Sequence, residues 1–177
     1  MKKATLKGYI LAALFSVFIT LCAYIQFPLI VPITLQTFGI FLSLKVLGGY
    51  LGTISVISYI CLGLIGLPVF SGFSGGMASL FGVSGGYIIG FLCIALIYWL
   101  FQKVVSKTFA DYIGLSIGLL VCYLLGATWY SVFFANGKSF VACLVSLTLP
   151  CLIPDLIKLV LAVMLGRKIS AHLQKIK

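Results

Sequence analysis

The stretch Leu147-Thr-Leu-Pro-Cys-Leu-Ile-Pro-Asp-Leu-Ile-Lys158, which continues as an apolar run to Leu165, decides how this chain folds. It contains Asp155, one of only two acidic residues in the sequence, with Lys158 three positions later. Residues three apart share a face of a helix, so the two charges lie side by side. An ionisable group inside a membrane span costs about 2.5–3.5 kcal/mol on insertion scales. We therefore expect a functional site with a polar ligand, while an ion pair that only joins helices and a solvated helix end remain alternatives.

The composition is that of an integral membrane protein. The chain is 63% hydrophobic and 8% charged, with a mean hydropathy of +1.28, whereas soluble domains carry about 25% charged residues. At about 20 residues per helical span, its 177 residues hold at most about six or seven spans and no soluble domain beside them. The net charge of +10 does not indicate nucleic acid, because the basic residues flank apolar segments and serve as topology determinants.

The residues that would support catalysis or metal binding are missing from the sequence. Its six cysteines all lie within apolar segments and form no C-x-x-C pair, which predicts neither a disulfide framework nor a metal site. Asn136-Gly-Lys-Ser139 is similar to the end of a phosphate-binding loop, but Val132 stands where that loop requires glycine. We find no nucleophile with a base and an orienting group. The sequence therefore predicts a protein that is not an enzyme and has no cofactor.

The number of spans depends on whether Phe38 to Leu67 forms one helix or two. Two short helices turning at Gly48-Gly49 give six spans and leave nearly all lysines and arginines on one side, with both termini in the cytoplasm. We therefore predict an all-α integral membrane protein whose residues 1–177 form a single substrate-binding domain. The expected spans are roughly 8–26, 33–47, 50–67, 85–104, 112–134 and 153–170.

Two loops are expected to cover a pocket that faces outward. Phe27 to Thr37 contains two prolines, which favour an extended, partly inserted loop. Gly66 to Gly86 contains seven glycines but remains fairly apolar, so we expect it to fold back over the pocket, although a flexible connection between spans is the alternative. Phe140 to Leu149 is too short to span and is expected to lie against the outer face, with the last span beginning near Pro154. The predicted apolar lining is Phe70, Phe73, Met77, Phe81 and Tyr87.

Two further features concern the ends of the spans. Lys103, Lys107 and Asp111 are expected to mark a turn in the cytoplasm. Ala12 and Ser16 form a small-xxx-small face on the first span, which serves either packing within the chain or contact with another membrane subunit.

The acid–base pair suggests the chemistry of the ligand. A carboxylate accepts N–H bonds and an ammonium donates to a carboxylate or carbonyl, so the suited ligand is a small, mostly apolar molecule with N–H donors and an acid group. Two classes of transport protein fit this site. One is a binding subunit without its own energy source; the other is a self-sufficient ion-coupled carrier in which Asp155 relays protons.

Five motifs in this order and spacing resemble those of the BioY family, the biotin-binding S components of energy-coupling factor (ECF) vitamin transporters. The resemblance covers essentially the whole chain, and Val83 departs from it where the family prefers proline. The motifs are Val31-Pro-Ile-Thr-Leu-Gln-Thr37, Gly63-Leu-Ile-Gly-Leu-Pro-Val-Phe70, Gly75-Gly76, Gly82-Val-Ser-Gly-Gly-Tyr-Ile-Ile-Gly-Phe91 and Pro154-Asp-Leu-Ile-Lys158.

The resemblance implies a six-helix protein that binds biotin and works with a transmembrane coupling subunit and two cytoplasmic ATPases in a prokaryotic plasma membrane. It implies that Ala12 and Ser16 dock on the coupling subunit. We expect Asp155 to accept a ureido N–H of biotin and Lys158 to bind the ureido carbonyl or the carboxylate. The further candidate ligand-binding residues are Gln36, Gly75, Gly76, Ser79 and Tyr87.

Overall fold

Helices make up most of the described backbone, as expected for a chain whose peptide groups must find partners without water. The computed structural model describes residues 6–135, 137 and 139–175. Four of the described helices are long and apolar enough to cross a membrane, and two shorter apolar helices accompany them. The helices are α1 (Leu6–Tyr24), α2 (Gln36–Leu47), α3 (Gly49–Leu64), α4 (Met77–Phe81), α5 (Gly85–Val104), α6 (Lys107–Phe109), α7 (Leu115–Phe133) and α8 (Phe140–Lys175), with a π-helical segment at Ala110–Gly114 before α7.

Phe38 to Leu67 forms two helices, which confirms the turn predicted at Gly48-Gly49. Gly48 has a φ of +81°, a conformation that side chains with a Cβ rarely adopt. After this turn α3 folds back on α2 so closely that a Cβ on Gly52 would lie 2.7 Å from the Cα of Leu44. Both helices thus lie in the bundle, although their 12 and 16 residues make them shorter than a usual span.

The prediction for Phe140 to Leu149 was wrong. The segment is not a separate piece on the outer face but the first part of α8, which runs for 36 residues with Pro150 and Pro154 inside it. Each proline removes one backbone hydrogen bond, which normally favours a helix end. In a membrane, however, ending the helix would leave many more backbone groups without partners, so the helix continues through both prolines.

The described ends of α1 and α8 lie at the same end of the bundle. Gly8 of α1 packs against Leu51 at the start of α3, and Gly166 of α8 packs against Lys45 at the end of α2. The opposite end, called here the loop end, carries the two segments that were predicted to cover a pocket.

At the loop end, the predicted extended loop forms a small antiparallel hairpin. Strands β1 (Gln26–Phe27) and β2 (Ile33–Thr34) pair with each other, and α2 begins directly after them. The glycine-rich segment beside the hairpin contains a 3₁₀ turn at Ser71–Phe73 and the short helix α4. Tyr24 at the end of α1 fastens this segment, because its hydroxyl donates to Pro68 O (2.7 Å) and its ring stacks on Phe73.

Candidate ligand-binding site

A pocket opens at the loop end between the hairpin, the glycine-rich segment and helices α2, α5, α7 and α8. The empty space of the pocket, including its open mouth, is about 600 Å³. The lining residues are Val31, Pro32, Ile33, Thr34, Gln36, Thr37, Phe70, Ser71, Ser84, Tyr87, Ile88, Phe91, Leu119, Cys122, Tyr123, Cys151 and Asp155.

The Asp155 carboxylate lies in the pocket wall and is held by donors from three helices. Its Oδ1 accepts from Lys158 Nζ (2.7 Å) and from Thr37 Oγ1 (2.8 Å). Its Oδ2 accepts from the Tyr123 hydroxyl (2.6 Å). The side chain is buried, so these hydrogen bonds offset the cost of removing its charge from water. A carboxylate oxygen has room for a further donor, so Asp155 can still accept from a ligand.

Lys158 pairs with Asp155 as the spacing predicted, but its ammonium does not line the pocket. Besides Asp155 it donates to the backbone oxygen of Thr34 (2.7 Å) and reaches Thr37 Oγ1 at 3.5 Å. Lys158 thus ties α8 to the start of α2 and neutralises the carboxylate. Direct contact between Lys158 and a ligand stays a prediction.

Gln36 lines the pocket, but both ends of its amide are occupied. Its Nε2 donates to the hydroxyl of Tyr59, and its Oε1 accepts from Thr34 Oγ1 (2.9 Å). These bonds hold the hairpin against the start of α2. Two groups at this junction, Thr34 O and Thr37 Oγ1, contact Lys158.

Tyr87 lines the pocket and offers it a free polar group. Its ring lies directly on Gly126 of α7, where a Cβ would collide with the ring. Its hydroxyl is buried and has no hydrogen-bond partner in the part of the chain that the structure describes. A buried hydroxyl without a partner is costly, and a ligand in the pocket would supply one.

Three predicted residues of the glycine-rich segment do not line the pocket. Gly76 has a φ of +80° and its N–H donates to Gly63 O (2.7 Å), and a Cβ on Gly75 would strike the backbone of Leu67. Ser79 Oγ donates to Gly75 O (3.1 Å). These residues shape the covering segment.

The predicted apolar lining needs a similar correction. Phe70 and Tyr87 belong to it, whereas Phe73, Met77 and Phe81 are largely exposed because they lie on the outer side of the covering segment. Phe70 packs its ring onto Gly63 and meets Tyr59 edge to face. Its position depends on a glycine 7 residues earlier in the sequence.

Sequence reasoning missed Tyr123. It lies on α7, far from the loops and from Asp155 in the sequence, and nothing distinguishes it there from the other eight tyrosines. The tertiary packing of α7 on α8 alone brings its hydroxyl to the carboxylate.

Ala12 and Ser16 are buried on the first helix. Their exposed fractions are 1% and 2%, which supports the alternative that this face packs within the chain. Their docking on a coupling subunit stays a prediction.

Asp111 follows the predicted turn, which lies between α5 and α6, and its side chain is buried. Its side chain is 1% exposed and pairs with Lys45 (2.5 Å), while the Tyr98 hydroxyl donates to its other oxygen (2.9 Å). Arg167 approaches at 3.9 Å. This second buried ion pair lies at the end of the bundle opposite the pocket and joins α2, α5 and α8 to the π-helical segment.

The sequence of this chain is similar to those of known membrane proteins. The BioY family matches residues 1–175. The chain belongs to the BioY family. It is 36% identical over 167 residues to the biotin transporter BioY of Thermotoga maritima, covering 93% of this chain and 96% of that protein. It is 39% identical over 142 residues to the probable biotin transporter BioY of Pyrococcus horikoshii, covering 80% of this chain and 82% of that protein.

A solved structure shares the fold. The S-component for biotin from an ECF-type ABC transporter matches with a TM-score of 0.82 and 32% identity, over 95% of this chain and 93% of that one. Membership of a transporter family and several apolar helices make this BioY protein a multi-pass membrane protein. Among the described residues no group of three or more potential metal ligands occurs.

Proposed function

We propose that this protein is the biotin-binding membrane subunit, or S component, of an ECF-type transporter for biotin uptake. Its relatives carry the name biotin transporter, and the related solved structure is an S component for biotin. The observation that carries the proposal is the Asp155 carboxylate, which lies in a largely apolar pocket and is held by Lys158, Thr37 and Tyr123.

Biotin matches this pocket chemically. Its ureido ring has two N–H donors, of which Asp155 would accept one, while its thiophane ring and valeryl chain are apolar. Ile88, Phe91 and Leu119 supply an apolar wall for them. Tyr87 supplies a hydroxyl without a partner of its own.

The protein would have six spans in a prokaryotic plasma membrane, with the pocket facing outward. The support is the distribution of charge, because Lys7, Lys45, Lys103, Arg167 and Lys168 belong to the end opposite the loops. Basic residues are retained on the cytoplasmic side of membrane proteins. Both termini would then be cytoplasmic.

Energy for uptake would come from a transmembrane coupling subunit and two cytoplasmic ATPases. The sequence supports this division of labour, because it contains no complete nucleotide-binding loop. Accumulation of biotin in vesicles that hold this chain alone, driven by a proton gradient, would instead favour a self-sufficient carrier; no observation favours that alternative.

A calorimetric titration of the purified protein with biotin in detergent tests the proposal. Wild type should bind, and Asp155→Asn and Lys158→Ala should each weaken binding at least tenfold, which corresponds to about 1.4 kcal/mol. Asp111→Asn is the control for lost stability, because it breaks the other buried ion pair at the end remote from the pocket and should leave the affinity of the folded protein unchanged. The proposal fails if wild type does not bind, or if both site variants keep the wild-type affinity.

A further inference from the structure

Two cations share one carboxylate at the end of the bundle opposite the pocket. Both oxygens of Asp111 are already used, one by Lys45 Nζ (2.5 Å) and the other by the Tyr98 hydroxyl (2.9 Å). Arg167 Nη2 stays 3.9 Å from Asp111 Oδ2, which is beyond hydrogen-bond distance. Two positive charges against one negative charge leave an excess of positive charge at this point. The Arg167 guanidinium, with its five N–H donors, can therefore take a further anion.

A tyrosine ring holds this guanidinium at the edge of the bundle. The Cζ of Arg167 lies 5.4 Å from the centroid of the Tyr112 ring, within the range of a cation–π contact. The arginine side chain is nevertheless 46% exposed. A guanidinium presents its donors in a planar fork, which suits the bidentate recognition of phosphate oxygens. Arg167 therefore offers a positioned cation to the surroundings of the bundle.

The surface next to Arg167 is apolar and runs along two helices that pack against each other, α7 and α8. On α8, Met164 and Val160 lie three and seven residues before Arg167, which places them on its face of the helix, and both are exposed. On α7, Leu120 lies about two helical turns beyond Tyr112 and is exposed as well. We call Met164, Val160 and Leu120 the apolar strip. The strip begins at the cation and extends toward the middle of the membrane.

An anionic phospholipid matches both parts of this surface. Its phosphate would meet the Arg167 guanidinium, and one of its acyl chains would lie on the apolar strip. A soluble anion would use the guanidinium alone and leave the strip without a matching group. Lys103 and Lys168 are exposed at the same end of the bundle, so negative headgroups are attracted to this end in general. A zwitterionic headgroup brings a cation of its own and gains less from Arg167.

We propose that Arg167 and Tyr112 form a binding site for the headgroup of an anionic phospholipid in the membrane leaflet at this end, with its acyl chain on the apolar strip. The site lies at the end of the bundle opposite the pocket, so the inference does not depend on biotin. The phosphate gives the excess cation a counter-ion, which Asp111 with its two occupied oxygens does not. Because the site exists only in the folded bundle, the bound lipid stabilises the fold.

The first test compares two lipids on the full chain, purified in detergent and freed of bound lipid, by native mass spectrometry. They are phosphatidylglycerol, which is anionic, and phosphatidylcholine, which is zwitterionic, with the same acyl chains. Phosphatidylglycerol should bind at least about fivefold more tightly, since one cation at the membrane surface contributes roughly that factor. Equal affinity for the two lipids would overturn the inference. A biotin titration of the same sample reports on the proposed function separately.

The second test separates a defined site from diffuse attraction to the basic end of the bundle. Arg167→Gln and Lys103→Gln each remove one exposed cation at this end, and Lys103 lies over Trp99 of α5, away from the Tyr112 ring. Arg167→Gln should lower the affinity for phosphatidylglycerol at least about fivefold, whereas Lys103→Gln should change it less than about twofold. Equal losses in the two variants would mean diffuse attraction only and would overturn the inference.

Two further measurements keep the proposal testable if Arg167→Gln does not fold. Tyr112→Leu removes the ring without changing any charge, and it should also weaken phosphatidylglycerol; an unchanged affinity would contradict the site. Thermal unfolding with glycerol 3-phosphate tests a soluble phosphate as the ligand. The melting temperature should rise with phosphatidylglycerol and not with glycerol 3-phosphate. An equal rise with both would identify a site for soluble phosphate and reject the lipid.

Discussion

Replacing Gly126 by alanine should push the Tyr87 ring into the ligand space. A Cβ at this position would lie 2.4 Å from Cζ of Tyr87, whereas ordinary contacts begin at 3.4 Å. The ring must therefore move by about 1 Å, the difference between these two distances. Moving away from α7 takes it toward the narrow space that Asp155 also lines. Overpacking of this kind costs about 1–3 kcal/mol.

We expect Gly126→Ala to weaken biotin binding at least tenfold, measured by calorimetry in detergent. Thermal unfolding of Gly126→Ala should show a loss of stability that is smaller than its loss of binding free energy. The reason is that alanine stabilises a helix relative to glycine by up to about 1 kcal/mol, which offsets part of the cost of overpacking. Gly118→Ala is the matched control on the same helix, since its Cβ would press on Ile94 and not on Tyr87.

A double-mutant cycle with Tyr87→Leu identifies the route of the effect. With the ring gone, Gly126→Ala should have little further effect on affinity, so the two changes should be strongly non-additive. Equal weakening by Gly126→Ala in both backgrounds would refute the reasoning, because the effect could then not pass through the displaced ring.

Three further substitutions test other contacts. Asp111→Asn breaks the buried pair with Lys45 and should cost about 3–5 kcal/mol of stability in thermal unfolding. Adding Lys45→Met should recover part of that loss. An unchanged melting temperature of Asp111→Asn alone would contradict a structural role for the pair. Gly63→Ala should displace Phe70 from the pocket wall, lowering both stability and biotin affinity; unaltered affinity would show that the wall adapts. Thr37→Val removes a donor to the site carboxylate and should cost about 1.5–3 kcal/mol of binding, read by calorimetry; serine at this position should restore most of the affinity.

Much of the fold followed from local chemistry. The apolar runs identified the long helices, and the glycine pair at Gly48-Gly49 identified the turn between α2 and α3, because only glycine tolerates the φ of +81° at Gly48. The same rules failed at Pro150 and Pro154. The local rule that proline disfavours a helix interior takes no account of the membrane. In a membrane, interrupting the backbone hydrogen bonds of a helix costs more free energy than the proline itself does.

The sequence by itself determined that this is a membrane protein of the BioY family and that Asp155 pairs with Lys158, because composition, motif order and a three-residue spacing are properties of the chain alone. Only the tertiary structure decided which way the pair faces. The packing of α2 and α7 against α8 brings Thr37 and Tyr123 to the carboxylate and turns the ammonium away from the pocket. Such contacts join residues that are 32 to 124 positions apart, and no local pattern encodes the geometry in which distant helices meet.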